Sequence, residues 1–442
     1  MNDTTWRNDV TMLDTPRNEA PAADRPNDRV GVWLVGARGS IGTTVAVGLH
    51  VIANDLAAPT GCTTAGDEFV GVPLPHFSGL VLGGHDISRT PLVDRAQQLA
   101  DSGMIPPRLV TAARAGLEQA DDEIRPGYEP SAHHGSQAAA VRRLAGDITG
   151  FRQRHGLRTV VVVDVSSTEP LPADRPEFHD TALLAAVLAD PTAALLPASA
   201  ITALAAIESG SPYACFTPST GLTLPAVRAL ADERGIAFAG QDGKTGETLL
   251  RTAIAPMFVA RGMHVHSWAG ANLLGGGDGA TLADPEAVRS KLASKTRGLR
   301  SLVGEHVVAP LHIDNVPDLG DIKTAWDHIH AEGFLGSRIT MQTIWSAYDS
   351  MLAAPLILDI ARLLALAESA GVRGVVPELG FFFKDPWGSD VHDFSQQASE
   401  LYTWAHATGE RVAAAAASTA AAVAASAPAA SAPARPAEAL GR

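Results

Sequence analysis

The stretch RVGVWLVGARGSIGTTVAVGLHVIAN, residues 29–54, decides the fold of this 442-residue chain. An apolar run from Val30 to Val35 predicts a short buried strand, and the pattern from Ile41 to Asn54 predicts a helix. The turn between them, GARGSIG, has three glycines that permit a tight bend before a helix N-terminus with free N–H groups. The stretch therefore predicts a dinucleotide-binding unit, although its GxxGxxG spacing differs from the usual GxGxxG.

Alternating strands and helices continue after this unit. The apolar run from Thr159 to Val165 predicts a buried strand, and a helix later in the chain is expected to end at Gly210. A further helix precedes a strand predicted over Ile236–Ala239. Apolar strands separated by helices indicate a parallel sheet covered on both faces. The predicted fold class is therefore α/β, with a Rossmann-type doubly wound parallel sheet.

The pattern changes after Gly246. The segments HVVAPLHIDNVP and SRITMQTIWSAYDS predict longer strands without a helix after each, which indicates an inserted α+β domain with an open, mixed sheet. The alanine-rich end lacks an apolar face, so it is predicted to be a tail with at most a short helical start. The predicted division is a disordered tail at 1–28, a Rossmann-type domain at 29–248, the inserted domain at 249–352, a return to the first domain at 353–410, and a disordered tail at 411–442.

Composition limits the class of protein. A formal net charge of −14 argues against nucleic-acid and anionic-membrane partners, because both require a basic surface. The two cysteines are too few for a disulfide framework, and the polar N-terminal segment lacks the apolar core of a signal peptide. These features predict a cytoplasmic enzyme with no membrane partner.

Lysine is rare in this chain. Of the 34 lysines and arginines only five are lysines, which leaves 29 arginines as the generic surface cation. Lysine can move a proton near neutral pH when burial lowers its pKa, whereas arginine cannot. The retained lysines therefore indicate anion binding or proton transfer, with chance placement as the alternative. They are Lys244, Lys291, Lys295, Lys323 and Lys384.

Six motifs between about Val30 and Pro386 resemble the myo-inositol-1-phosphate synthase family. They are GQDGKTGET, NLLGGGDGATL, VRSKLASKT, GDIKTAW, DSMLAAPLILD and FFFKDP, and together they contain all five lysines. The resemblance implies an NAD-dependent, redox-neutral cyclisation of D-glucose 6-phosphate to 1D-myo-inositol 3-phosphate, by oxidation, enolisation, intramolecular aldol addition and reduction. It also implies a homotetramer, and it gives the inserted α+β domain its role in catalysis and tetramerisation.

The resemblance also implies roles for individual residues. The catalytic residues it implies are Lys291, Lys323 and Lys384. The substrate-binding residues it implies are Lys295, Asp242, Asp321 and Asp349. For the cofactor it implies Gly36, Arg38, Gly39, Ser40, Ile41, Gly42, Asp86, Ser167, Thr168, Ser199, Asp242, Thr245, Gly277, Asp278 and Asp349. No metal site is predicted, because the histidine pairs in HVHS and DHIH lack a recognisable ligand pattern.

Several positions depart from the family pattern. Arg38 stands where the family has glycine, Ser40 and Ile41 replace two asparagines, and Gly276 and Gly277 replace two more. These departures favour a second hypothesis, in which the same chemistry converts fructose 6-phosphate to a five-membered cyclitol phosphate. A plain sugar-phosphate oxidoreductase and a non-catalytic NAD-binding scaffold are further alternatives.

Overall fold

A computed structural model describes residues 28–275 and 298–426 of the chain. Its first sheet begins with six parallel strands: β1 (Val30–Val35), β2 (Leu80–Asp86), β3 (Ile124–Pro126), β4 (Thr159–Asp164), β5 (Tyr213–Cys215) and β6 (Ala237–Gly240). Four later strands form a second sheet: β7 (His264–Leu274), β8 (Leu311–Asn315), β9 (Ile322–Glu332) and β10 (Arg338–Tyr348). The last strand, β11 (Gly374–Val375), returns to the first sheet, whose order is β11-β6-β5-β4-β1-β2-β3.

Helices cover both faces of the first sheet, as predicted. The helices of the described residues are α1 (Ser40–Ala53), α2 (Leu92–Asp101), α3 (Pro107–Asp121), α4 (Gln137–Arg154), α5 (Thr181–Ala189), α6 (Ala198–Ser209), α7 (Pro225–Arg234), α8 (Gly246–Ala260), α9 (Asp349–Ser369) and α10 (Phe394–Ser426), of which α8 packs on the second sheet. Along β1, Val32 and Leu34 pack into one core and Trp33 and Val35 into the other. Because both faces of β1 are covered, all six of its residues are buried. This burial explains why the apolar run is unbroken.

Helix α9 follows the second sheet and is long and apolar. By length and composition it could span a membrane, but 72% of its most apolar window is buried, so it is a core helix. It carries two buried charged residues: the carboxylate of Asp359 accepts hydrogen bonds from the N–H groups of Thr63 and Thr64 at 2.6 and 3.1 Å. Arg362 donates to the Pro75 carbonyl at 2.8 Å. Burial raises the pKa of Asp359 to about 7.

The second sheet has the order β10-β9-β7-β8, with β7 and β8 parallel and the other pairs antiparallel. Its strands lie within the predicted insertion at 249–352. One face packs on α8 through Phe258, Trp268 and Ile329. The opposite face remains open, with Trp326 and Ile344 exposed. The implied assembly into a tetramer stays a prediction.

One predicted helix boundary is confirmed, and another predicted boundary differs from the structure. The Gly210 end of α6 is confirmed, with Gly210 in the left-handed conformation at a φ of 68°. Helix α10, however, continues to Ser426, well past the predicted start of the tail at 411. Alanine needs no tertiary contact to favour a helix, which accounts for the extension. The predicted tail at 1–28 lies, apart from Asp28, outside the described residues.

Candidate active site

Two glycines in the turn between β1 and α1, Gly36 and Gly42, have no room for a side chain. Gly36 has a φ of +87°, and a Cβ atom there would lie 2.9 Å from the Cα of Ser166. A Cβ on Gly42 would lie 2.4 Å from the carbonyl oxygen of Ala37. Helix α1 begins at Ser40, and within the described parts of the chain no side chain caps its first turn. Its free N–H groups therefore suit an anion.

Replacing Gly42 by alanine is expected to destabilise the protein by about 1–3 kcal/mol, the range for overpacking. The new methyl group would meet main-chain atoms of Ala37, which cannot rotate away. Gly48 in the same helix is the matched control, because nothing lies within 4 Å of a Cβ built there. Alanine at Gly48 should raise the free energy of unfolding by about 0.5–1 kcal/mol. Urea unfolding measures both values, and equal stabilities would contradict the close approach.

Asp86 ends β2 beside the turn. Its carboxylate accepts hydrogen bonds from the N–H groups of Arg38 and Ser88, each at 2.6 Å. The guanidinium of Arg38 pairs with Asp121 at 2.8 Å. Arg38 and Asp86 line a cavity of about 470 Å³. Rossmann-type folds bind a ribose hydroxyl with an acidic residue after the second strand, so this cavity suits the adenosine part of a dinucleotide.

A second cavity, of about 340 Å³, lies on the other side of the turn and is lined by residues from both sheets. The turn and the loops after β4, β5 and β6 form one part of its wall, and the ends of β7 and β9 form another. Most of the predicted site residues meet here: Gly39, Ser40, Ile41, Ser167, Thr168, Asp242, Thr245, Asp321, Lys323, Asp349 and Lys384.

Lys384 and Asp242 form a buried ion pair in this cavity. The Nζ atom of Lys384 lies 2.7 Å from Oδ1 of Asp242, and the two side chains are 9% and 10% exposed. Their main chains are also joined, because the Lys384 N–H donates to the Asp242 carbonyl at 2.7 Å and Gly243 pairs with Phe383 in an antiparallel bridge. This short ladder fixes the position of both side chains, and burial strengthens their attraction.

A second lysine and aspartate meet where the two sheets approach each other. Lys323 in β9 places its Nζ 3.5 Å from the carboxylate of Asp349, the first residue of α9. The hydroxyl of Thr245, just before α8, donates to the other oxygen of Asp349 at 2.6 Å. Asp349 therefore links the inserted sheet to the loop after β6.

Lys244 does not line the cavity. Its side chain is buried, and Nζ donates to Oε1 of Gln397 while facing the rings of Phe381 and Phe394 at 5.9 and 5.7 Å. Burial lowers the pKa of Lys244 to about 7. This lysine therefore joins α10 to the loop that carries Asp242, which is a structural role.

The comparisons with known proteins agree with this arrangement. The family model described as myo-inositol-1-phosphate synthase matches residues 30–406. The chain belongs to the myo-inositol-1-phosphate synthase family. Inositol-3-phosphate synthase 1 of Bacteroides thetaiotaomicron is 29% identical over 408 residues, which cover 85% of this chain and 92% of the relative. The inositol-3-phosphate synthase of Spirodela polyrhiza is 30% identical over 390 residues, with 77% and 74% covered.

A solved structure shares the fold of this family member. The inositol-3-phosphate synthase of Caenorhabditis elegans superposes with a TM-score of 0.75, at 24% identity and with 86% of each chain covered. Family membership confirms the predicted enzyme class, an NAD-dependent cyclase of the inositol-phosphate synthase type. The matched family model is that of an NAD-binding domain, so dinucleotide binding is supported at the level of the family.

Some predicted residues lie elsewhere or are not described. The structure does not bring Ser199 to the cavity: its N–H donates to Glu169 at 3.2 Å and its hydroxyl accepts from the N–H of Gly221 at 2.9 Å. The carboxylate of Glu169 occupies the start of α6, where a ligand was expected. Gly36 and Gly42 shape the turn without lining the cavity. Four predicted residues lie outside the described part: Lys291, Lys295, Gly277 and Asp278.

The sequence prediction missed one charged residue of the cavity wall, Arg95 in α2. Arginine was interpreted as the generic surface cation of this chain, so Arg95 carried no signal. That interpretation is wrong also for Arg251 and Arg362, which are buried. The helix pattern of α2 and its position after β2 would have placed Arg95 at the carboxyl edge of the sheet, where ligands bind.

Proposed function

We propose that this protein binds NAD⁺ and cyclises D-glucose 6-phosphate to 1D-myo-inositol 3-phosphate without net oxidation. The proposal rests chiefly on one observation: two lysine–aspartate pairs, Lys384 with Asp242 and Lys323 with Asp349, lie on the cavity that the glycine turn also lines. The relatives named inositol-3-phosphate synthase support the choice of substrate and product.

The turn fits a dinucleotide cofactor. Gly36 and Gly42 let the main chain of the turn pack closely against Ser166 and Ala37, and the first N–H groups of α1 remain available for a pyrophosphate. Ser167, Thr168 and Thr245 add hydroxyl groups to the same wall. When bound, NAD⁺ supplies a reversible hydride acceptor.

The two lysines supply the proton transfers. Oxidation at C5 requires the C5 hydroxyl to lose its proton, and a lysine amine can accept it. The resulting ketone acidifies C6–H, so a base removes that proton while an ammonium group stabilises the enolate oxygen. Attack of C6 on the C1 aldehyde then closes the ring, and an ammonium group protonates the C1 oxygen. We assign these steps to Lys323 and Lys384 together with Lys291.

Fructose 6-phosphate is the second candidate substrate. Ser40 and Ile41, which replace asparagines of the family pattern, both line the cavity. Their side chains donate fewer hydrogen bonds than two amides would. A changed wall at this position favours a changed sugar, and the same lysines would then close a five-membered cyclitol phosphate.

Turnover with catalytic NAD⁺ tests the function. Glucose 6-phosphate and fructose 6-phosphate are offered separately, products are identified by NMR, and absorbance is followed at 340 nm. We expect inositol phosphate from glucose 6-phosphate with no net absorbance change. A cyclopentane product from fructose 6-phosphate supports the second candidate instead. Stoichiometric NADH formation would indicate a plain oxidoreductase, and NAD⁺ binding without any product would indicate a scaffold.

A further inference from the structure

Arg95 contacts the first residue of the dinucleotide-binding helix. It lies in α2 and is half-buried, and its Nη2 donates to the hydroxyl of Ser40 at 2.7 Å. Nη1 donates to Oε1 of Gln98, one helical turn further along α2, at 2.9 Å. These two contacts hold the guanidinium over the start of α1, beside the cavity that both Arg95 and Ser40 line.

Among the described residues, no carboxylate pairs with Arg95. The other two cations of the cavity wall, Lys323 and Lys384, are paired with Asp349 and Asp242. Within residues 28–275 and 298–426 no acidic group lies within ion-pair distance of Arg95. By contrast, Arg38 on the neighbouring cavity is paired with Asp121. A half-buried guanidinium without an acidic partner has donors left for an anion, and its planar fork matches a phosphate group.

We propose that Arg95 binds the pyrophosphate of the dinucleotide cofactor. This assignment rests on the proposed function. Ser40 and Ile41 stand where the family pattern has two asparagines, so this turn lacks two amide donors. Arg95 replaces them with a charged donor from α2. The cofactor pyrophosphate is favoured over the sugar phosphate because Arg95 contacts Ser40 at the start of α1, where Rossmann-type folds bind pyrophosphate.

Binding measurements on Arg95→Ala and Arg95→Lys test this assignment. Isothermal titration calorimetry with NAD⁺ and with ADP-ribose, which keeps the pyrophosphate but lacks nicotinamide, gives the dissociation constants. Arg95→Ala should raise both by about 10- to 100-fold, the effect of losing one or two charge-assisted hydrogen bonds. The dissociation constants of Arg95→Lys should lie between those of the unaltered protein and those of Arg95→Ala, because lysine keeps the charge but lacks the planar guanidinium fork. Arg114→Ala removes an exposed arginine of α3 and should change neither constant.

The outcomes separate the two proposals. Unchanged dissociation constants for NAD⁺ and ADP-ribose in Arg95→Ala would overturn the assignment. If only the KM for the sugar phosphate increases, measured at saturating NAD⁺, Arg95 contacts the substrate and not the cofactor. This result would also overturn the assignment. A third outcome is that the unaltered protein turns over neither sugar phosphate, while Arg95→Ala still binds ADP-ribose more weakly. It would support the role of Arg95 in pyrophosphate binding and refute the cyclase function. Urea unfolding of each variant confirms that the fold is retained.

Discussion

Lys384→Met is expected to lower kcat by about 10²- to 10⁴-fold, the contribution of a positioned acid–base group. Methionine fills a similar volume but removes the ammonium group that lies 2.7 Å from Asp242. The cavity then loses a proton carrier and a charge that would stabilise a developing oxyanion. NAD⁺ binding should change little, because the turn and α1 are untouched. Steady-state kinetics with NMR detection of product measures the loss, and calorimetry with NAD⁺ shows that the fold is intact.

Lys384→Arg separates charge from proton transfer. Arginine keeps the positive charge, but it does not release its proton at any pH where the protein is folded. If Lys384 moves a proton, Lys384→Arg should be as slow as Lys384→Met; recovery of most activity would mean that charge alone matters. Arg234→Met, which removes an exposed cation at the end of α7, is the control for net charge. Near-normal turnover by Lys384→Met would show that Lys384 is not needed for catalysis.

The first sheet could be predicted because its signal is local. A strand covered on both faces must be apolar throughout, as Val30–Val35 is, and the helix after it needs a tight turn. The same reasoning predicted the strand at Thr159–Val165, which ends one residue earlier in the structure. The length of α10 could not be predicted in this way, because without a periodic apolar face only intrinsic propensity remains, and that is a weak guide.

Contacts within the site could not be predicted from local pattern. Lys384 and Asp242 are 142 residues apart and meet only because the chain after α9 returns to pair with the loop that follows β6. The family resemblance named both residues without showing that they touch. Arg95 and Ser40, 55 residues apart, are joined by the packing of α2 beside α1. Such pairs are brought together by the tertiary structure, and their contacts cannot be predicted from the spacing of the residues in the sequence.

Arg251 is the second residue whose loss should have a large effect. It lies in α8 under the inserted sheet and is 4% exposed. Its guanidinium contacts the carboxylates of Glu247, one turn earlier in α8, and of Asp327 in β9, the latter at 2.9 Å. Trp268 donates to the same Asp327 oxygen at 2.8 Å, and Asn272 donates to Glu247 at 2.7 Å. Among the described residues, Arg251 is therefore the cation that contacts both of these buried carboxylates.

Arg251→Met should reduce the free energy of unfolding by about 3–5 kcal/mol at pH 7, because the buried carboxylate of Asp327 then loses the guanidinium that pairs with it. Arg114→Met, which breaks an exposed pair with Glu118 in α3, should change it by less than about 0.5 kcal/mol. Arg251→Met combined with Asp327→Asn should recover part of the loss, since one of the two carboxylates is then gone. Urea denaturation of the three variants measures these differences.

The cost of Arg251→Met should also depend on pH. Burial raises the pKa of Asp327, so its carboxyl group takes up a proton in the folded state before it does so in the unfolded state. Lowering the pH from 7 towards the ordinary value of about 4 therefore reduces the cost of burying Asp327, and it does so more in the variant, where no guanidinium holds the charged form. We expect the difference between Arg251→Met and the unaltered protein to shrink across this range. A constant difference from pH 7 to pH 5 would mean that lost packing, and not buried charge, destabilises the variant.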